Sequence, residues 1–479
     1  MTAGDLITLS PLLALTLTPV VVMLVAAFRR SHLVALTLTL VGLASTIACL
    51  FLAATRSDSR VTPLLDLDTY ALFFIGLLTA ATAAVALLSW GYLERRRVHP
   101  EEYYMLLLTA TLGGAALVAS THFASFFLGL EILSVSLYAL IVYPVFREAY
   151  VEAAVKYLVL AGATSAFLVF GMAIVYGETG TMAAGPLAAV LGGHAGGGAV
   201  VTAGVVLLLV GVGFKLAVVP FHMWTPDVYQ GAPAPVAAYV ATVSKGAVFA
   251  LLLRYLRPVG EHPGSTLFYA IAVVAVASMV AGNLLALRQD NVKRILAYSS
   301  IANLGYLLVA FLAMGERAAT AVAFYLVAYF ATTLVAFGVV TVLSSAERDA
   351  DAIADYRGLS SRRPALAAVF TVALFSLAGM PLTIGFIGKF TVVTAGAGSA
   401  LWALVIVLVL ASTVGLYYYT RLVVAMYVRR PEGDEETRGA APGVAAGAVL
   451  AALTLFVLFF GVYPAPLLRL VECIVSTLP

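Results

Sequence analysis

Residues 199–222 read AVVTAGVVLLLVGVGFKLAVVPFH, an apolar run that carries one lysine, Lys215, and near its end one proline, Pro220. A hydrocarbon core roughly 30 Å thick is crossed by about 20 apolar residues in a helix, so this stretch reads as a membrane span. It is not an unbroken one. Proline removes a backbone donor and clashes with the preceding turn, and backbone groups freed at membrane depth are tolerated only against protein or water. A second run has the same design: Leu377-Ala378-Gly379-Met380-Pro381, then Leu382 to Gly388 and Lys389. Two spans thus combine an interruption with a lysine inside the bilayer.

The rest of the chain agrees with that environment. Of its 479 residues 62% are hydrophobic and only 11% charged, with a mean hydropathy of +1.04. A soluble domain needs a more polar surface, so the fold class is an all-α polytopic membrane protein. Fourteen candidate spans lie near 9–28, 33–54, 69–90, 103–120, 122–143, 150–176, 199–222, 234–256, 266–286, 292–313, 317–344, 365–397, 400–427 and 443–463. The start of the sequence lacks a basic region and a small-residue cleavage site, so its first apolar segment is expected to be a retained span. With the N-terminus outside, the cytoplasmic connections hold 16 basic residues and the external ones 6. That asymmetry favours both termini on the external side.

The longest connections are a glycine-rich stretch near 177–198, a charged segment near 345–364 and an acidic loop from Pro431 to Gly443. The charged segment, with Asp349, Asp351, Asp355, Arg357, Arg362 and Arg363, reads either as an interfacial helix or as a solvated loop. No basic stripe points to nucleic acid. The two cysteines, Cys49 and Cys473, are far apart in sequence and form no Cys/His cluster, so no metal site, iron–sulfur cluster or haem attachment is expected.

Charge inside the spans is scarce and therefore informative. Only five lysines occur; Lys156, Lys215, Lys245 and Lys389 sit within apolar runs, and Lys293 lies in a polar connection. An ammonium at bilayer depth costs several kcal/mol on most estimates and marks a functional site by default. Glu131 is the one acid well inside a span, where it must pair with a cation or take up a proton. Lys156 is only about two turns inside its span, so snorkelling to water competes with function there. Arg421 lies near a span end and reads as a snorkelling residue. His222 is either a structural histidine or a proton relay. Lys293 and Arg294, with Asp290, read as an interfacial anchor. A phosphate-loop reading of Gly388-Lys389 fails, because Thr383 replaces the first loop glycine and Phe390 the Ser/Thr.

The sites fall in long, ordered motifs. Phe221-His-Met-Trp-Thr-Pro-Asp-Val-Tyr-Gln-Gly-Ala-Pro-Ala-Pro235, followed by Ser244-Lys245, is one. Gly129 to Tyr138 around Glu131, Glu152 to Tyr157, Asp290 to Ser300 and Gly379 to Lys389 are the others. Across about residues 70–430 these resemble the subunit N family of bacterial respiratory complex I, NADH-quinone oxidoreductase. The Pro-Asp-Val-Tyr-Gln-Gly-Ala-Pro stretch, Lys389 where the M subunit has glutamate, and an end soon after the last span favour N over the related L and M subunits.

The resemblance implies fourteen helices with two inverted five-helix repeats and interrupted spans seven and twelve. Helices 1–3 would occupy 1–100, the first repeat 101–257, the second 258–430 and the last helix 431–479. Glu131 and Lys215 would form an ion pair, Lys245 the central carrier and Lys389 the terminal site of a proton path. Lys156 and His222 would be auxiliary. The chain would carry no redox group; NADH, FMN, iron–sulfur clusters and quinone would belong to other subunits. Its partners would be the neighbouring M and K subunits and the lipid of the bacterial inner membrane. A cation/proton antiporter subunit of the Mrp type, a related hydrogenase or photosynthetic subunit, and a structural component with silent lysines remain the alternatives.

Overall fold

The computed structural model describes residues 3–56, 61–96, 98–143, 148–185, 198–260, 262–313, 315–428 and 443–476. Arg60, Arg97, Arg147, Arg429, Arg430 and Arg438, nearly all of the acidic loop and the middle of the glycine-rich stretch lie outside them. The chain opens with α1 (Ala3–Phe28), α2 (His32–Ala54) and α3 (Thr69–Arg96), then α4 (Glu101–Val118), α5 (Phe123–Val142), α6 (Glu148–Thr179) and α7 (Gly198–Leu216). After a break come α8 (Trp224–Gly231) and α9 (Ala234–Tyr239), which runs through a π-helical turn, Val240–Ser244, into α10 (Lys245–Gly260). Next are α11 (Thr266–Ala286), α12 (Val292–Leu312), α13 (Glu316–Leu343), a 3₁₀ turn at Ile353–Tyr356, α14 (Leu359–Arg362) and α15 (Pro364–Ala378). A second break leads to α16 (Ile384–Gly398), α17 (Trp402–Tyr427), α18 (Val444–Val462) and α19 (Ala465–Val475).

Among the described residues, twelve helical segments are long and apolar enough to cross a membrane. The stretch counted as one span over 365–397 is two shorter apolar helices, α15 and α16, because Gly379 and Leu382 take left-handed backbone (φ 85° and 71°) around Pro381. The first break has the same cause: Ala217 has φ 61°, just before Pro220. α19 was not expected. Its Leu467, Val471, Ile474 and Val475 are buried, the spacing of one apolar helix face.

Three spans are buried almost end to end: α9 with α10, α12 and α13. A helix that is apolar all round belongs in the interior, and these three form the centre of the molecule. α1, α6 and α18 lie outside them and expose side chains such as Leu17, Val159 and Leu455.

Two pairs of segments, 121–123 with 182–184 and 290–292 with 351–353, correspond residue by residue. An antiparallel bridge joins His122 to Ala183, and another joins Asn291 to Ala352, 61 residues apart in both cases. The surrounding backbone bonds repeat as well: Phe123 N to Met182 O matches Val292 N to Asp351 O, and Ala184 N to Thr121 O matches Ile353 N to Asp290 O. His122 caps α5 and Asn291 caps α12 with side-chain acceptors. The two bridges lie 169 residues apart in sequence, and tight glycine packing obeys the same offset. A Cβ on Gly113 would stand 2.9 Å from Gly129 O, and one on Gly282 would stand 2.8 Å from Tyr298 O. The first bridge lies one α4 length away from the end where Arg96 meets Asp349, whereas the second lies beside Asp349.

The charged segment is not a wholly solvated loop, nor one interfacial helix: it holds the 3₁₀ turn and the short α14. Its Asp349, Tyr356 and Leu359 are buried, and residues 351–353 pair with 290–292.

Candidate functional site

Lys215 lies in the last turn of α7 and is buried. The break beside it frees helix-end carbonyls, one of which, Phe214 O, accepts from Trp224 Nε1 at 2.9 Å. Lys215 Nζ donates to Ser134 Oγ at 2.6 Å and to Tyr157 Oη at 3.3 Å, with the Tyr157 ring centroid 5.0 Å away. Ser134 stands three residues beyond Glu131 on α5, on the same helix face. The expected Glu131–Lys215 ion pair is not closed: among the described residues Glu131 is in no ion pair, and its Oε1 accepts from Ser165 Oγ at 2.6 Å. Glu131 is half-buried rather than enclosed.

Lys245 begins α10, directly after the π-helical turn. A π turn shifts the helical register and recurs at functional sites. Here it precedes an amine that is 1% exposed. Lys245 Nζ donates to Ser300 Oγ at 2.7 Å, and the ring of Tyr229, from α8, stands 5.3 Å away.

Lys389, on α16, reaches back across the second break. Its Nζ donates to Leu377 O at 2.8 Å and Ala378 O at 3.0 Å, the last carbonyls of α15, and to Ser412 Oγ at 2.8 Å. A helix C-terminus carries partial negative charge, so the broken helix itself receives the ammonium. The interruption and the lysine are one structure.

Between Lys245 and Lys389, α12 presents a polar face. Tyr329 Oη donates to Ser300 Oγ at 2.7 Å. Ser299 is hydrogen-bonded to Tyr419, and Tyr325 Oη donates to Asn303 Oδ1 at 2.5 Å. Asn283 Nδ2 donates to Tyr306 Oη at 2.9 Å, and Tyr418 Oη donates to Asn283 Oδ1 at 3.1 Å. The Tyr306 ring centroid is 5.1 Å from Lys389 Nζ.

Lys156 and His222, expected to be auxiliary, form no hydrogen bond or ion pair with the three buried lysines among the described residues. Lys156 is not a buried lysine: its side chain is 43% exposed and paired with Glu152 at 2.6 Å and Asp227 at 3.0 Å. Its short distance from the helix start lets it reach the charged end of the bundle. His222 is buried beyond the first break, and its Nδ1 has no hydrogen-bond partner among the described residues.

Residues 120–415 match the family described as NADH:quinone oxidoreductase/Mrp antiporter, TM. The NADH-quinone oxidoreductase subunit N of Nitrosospira multiformis is 53% identical over 98% of this chain and 96% of its own. The chain belongs to the subunit N family of NADH-quinone oxidoreductases. A chain of respiratory complex I from Thermus thermophilus with bound aureothin is 33% identical, with a TM-score of 0.82 over 96% of this chain and 98% of that one. A chain of the Mrp complex from Dietzia sp. has a TM-score of 0.85 over 100% and 98% of the two chains at 20% identity, a likeness of fold.

This member of the subunit N family also contains a charge cluster that sequence reasoning missed. Lys293 does not lie in a polar connection. It occupies the first turn of α12, is 1% exposed, and donates to Asp349 Oδ2 and Ala232 O, both at 2.7 Å. Arg96 and Tyr92, from α3, each reach Asp349 Oδ1 at 2.8 Å. Burial alone would raise the Asp349 carboxyl, but Lys293 and Arg96 outweigh it and hold it below the usual carboxylate range. A cavity of about 320 Å³, lined by Lys156, Asp227, Lys293 and Asp349 among others, opens beside this cluster. The only available signal was the run of alternating charges near 345–364, whose partners are remote in sequence.

Proposed function

We propose that the chain is the N subunit of the membrane arm of a bacterial complex I, a non-redox subunit that passes protons in response to quinone reduction elsewhere in the assembly. The NADH, flavin, iron–sulfur and quinone sites would lie in other subunits, and the M and K subunits would be its neighbours in the inner membrane. The observation that carries the reading is the trio Lys215, Lys245 and Lys389. Each is buried, and among the described residues none is in an ion pair; only hydroxyls and carbonyls receive their protons. A structural lysine would be expected to find a carboxylate, as Lys293 does.

Glu131 would act as the switch. A desolvated amine holds its proton less tightly, and a carboxylate brought alongside restores the hold. Closing Glu131 onto Lys215 in place of Ser134 would load the amine, and opening the contact would push a proton towards Lys245 and then Lys389. Lys156 and His222 would serve the entry side.

The arrangement we favour has fourteen crossings: the twelve long spans, α4, and α15 with α16 together. The offset of 169 between bridges at opposite ends of the bundle supports two inverted repeats, and the excess of arginine at the Asp349 end supports a cytoplasmic location for it.

Replacing Lys215 or Lys245 with alanine in the assembled complex tests the function. NADH-driven proton uptake into vesicles and quinone reduction should both fall by roughly tenfold or more, as when a charged partner in a transfer path is lost. Parental values for both, at normal assembly, would leave only a structural role.

A further inference from the structure

The two halves carry different groups at one equivalent position. Glu131 lies nine residues after the capping His122, and Ser300 lies nine residues after the capping Asn291. The first is a half-buried carboxylate bound by Ser165. The second is a hydroxyl that is 1% exposed and, among the described residues, is the one hydrogen-bond acceptor of Lys245 Nζ. Tyr329 Oη donates to the same oxygen. A hydroxyl oxygen accepts two hydrogen bonds and donates one, so Ser300 is filled as an acceptor by the amine and the phenol.

We infer that Ser300 is a positioning residue for proton transfer, the neutral counterpart of Glu131, which aims the Lys245 amine along the polar face of α12. This rests on the reading of Lys245 as a proton carrier. The physical contrast is between two ways of holding an ammonium. A carboxylate binds it tightly and favours the charged form, whereas a hydroxyl fixes its direction while leaving the amine able to release a proton. Among the described residues no second hydrogen-bond acceptor holds the Lys245 amine, and the Tyr229 ring stands 5.3 Å away. The hydroxyl also joins α10 to α13 through Tyr329, so the amine is held by two of the three helices at the centre of the molecule.

The test compares Ser300→Ala, Ser300→Thr and Ser300→Asp with Lys245→Ala, each in the whole complex, by assembly level and NADH-driven proton uptake into vesicles. Loss of a hydrogen bond to a charged group should lower proton uptake by roughly tenfold in Ser300→Ala. Ser300→Thr should retain most of it. Ser300→Asp should assemble yet block transfer, because the new acid pins the ammonium. A purely structural serine would leave uptake at the parental level in Ser300→Ala once the complex has assembled. Parental uptake in Ser300→Ala or in Ser300→Asp overturns the inference, and if the alanine variant does not assemble, the aspartate variant decides it. Parental uptake in Lys245→Ala would instead remove the reading on which it rests.

Discussion

A lysine ammonium has three protons to place, and the acceptors available inside this bundle separate its lysines. Lys389 donates to two carbonyls at a broken helix end and to Ser412. Lys215 and Lys245 have hydroxyls. Lys293 alone of the buried four has a carboxylate, and it shares that carboxylate with Arg96. Removing one member of such a buried cluster leaves an uncompensated charge at a cost of about 3–5 kcal/mol. Asp349→Asn should therefore lower the melting temperature of the purified complex clearly, while Glu347→Gln, at an exposed position, should not. The pH dependence has a definite sign. The folded carboxyl of Asp349 is depressed, so its contribution is complete above the ordinary aspartate value and is lost as pH falls through the folded one. The parent should lose stability over that acid window, and Asp349→Asn should lack this part of the loss.

At the level of elements, close helix approach and helix interruption do the positioning. α4 meets α5 through Gly113, where a Cβ would stand 2.5 Å from Leu133 N, and α11 meets α12 through Gly282, 2.7 Å from Ala302 N. Both contacts are with backbone, which cannot rotate aside. Gly113→Val and Gly282→Val should each separate their helix pair and cost about 1–3 kcal/mol or more, read as reduced assembly of the subunit into the complex. Gly162→Val, where a Cβ would meet nothing within 4 Å, is the matched control and should assemble normally. The breaks were legible because proline and glycine act locally. The π turn before Lys245 was not: Val240 to Ser244 contains no residue that demands it.

For the whole molecule, the arrangement of spans makes a prediction about sidedness. With Cys49 and Cys473 replaced, a cysteine at exposed Glu347 should react with a membrane-impermeant reagent from the cytoplasmic side. One at exposed Thr55, at the far end of α2, should react only from the opposite side. Labelling of both from one side would exclude the orientation. Position in the bundle also separates enclosed lysines from an exposed one. Lys245 and Lys293 belong to the spans that are buried almost end to end, whereas Lys156 belongs to α6 at the periphery.

Membrane class, most span positions, the two interruptions and the place of Lys215, Lys245 and Lys389 inside apolar runs were all legible in the sequence alone. Each follows from hydropathy over about 20 residues or from the local chemistry of proline, glycine and charge. Only the tertiary structure could tell that Lys156 turns out to a charged surface while Lys293 is enclosed. Depth along a helix is a property of one segment, but enclosure depends on helices far away in sequence. The same reason hid Ser134, Ser300 and Asp349, ordinary polar residues until a cation from another helix is packed against them. Glu131 belongs to both groups: its place inside a span was readable, and its separation from Lys215 is a matter of how α5, α6 and α7 pack.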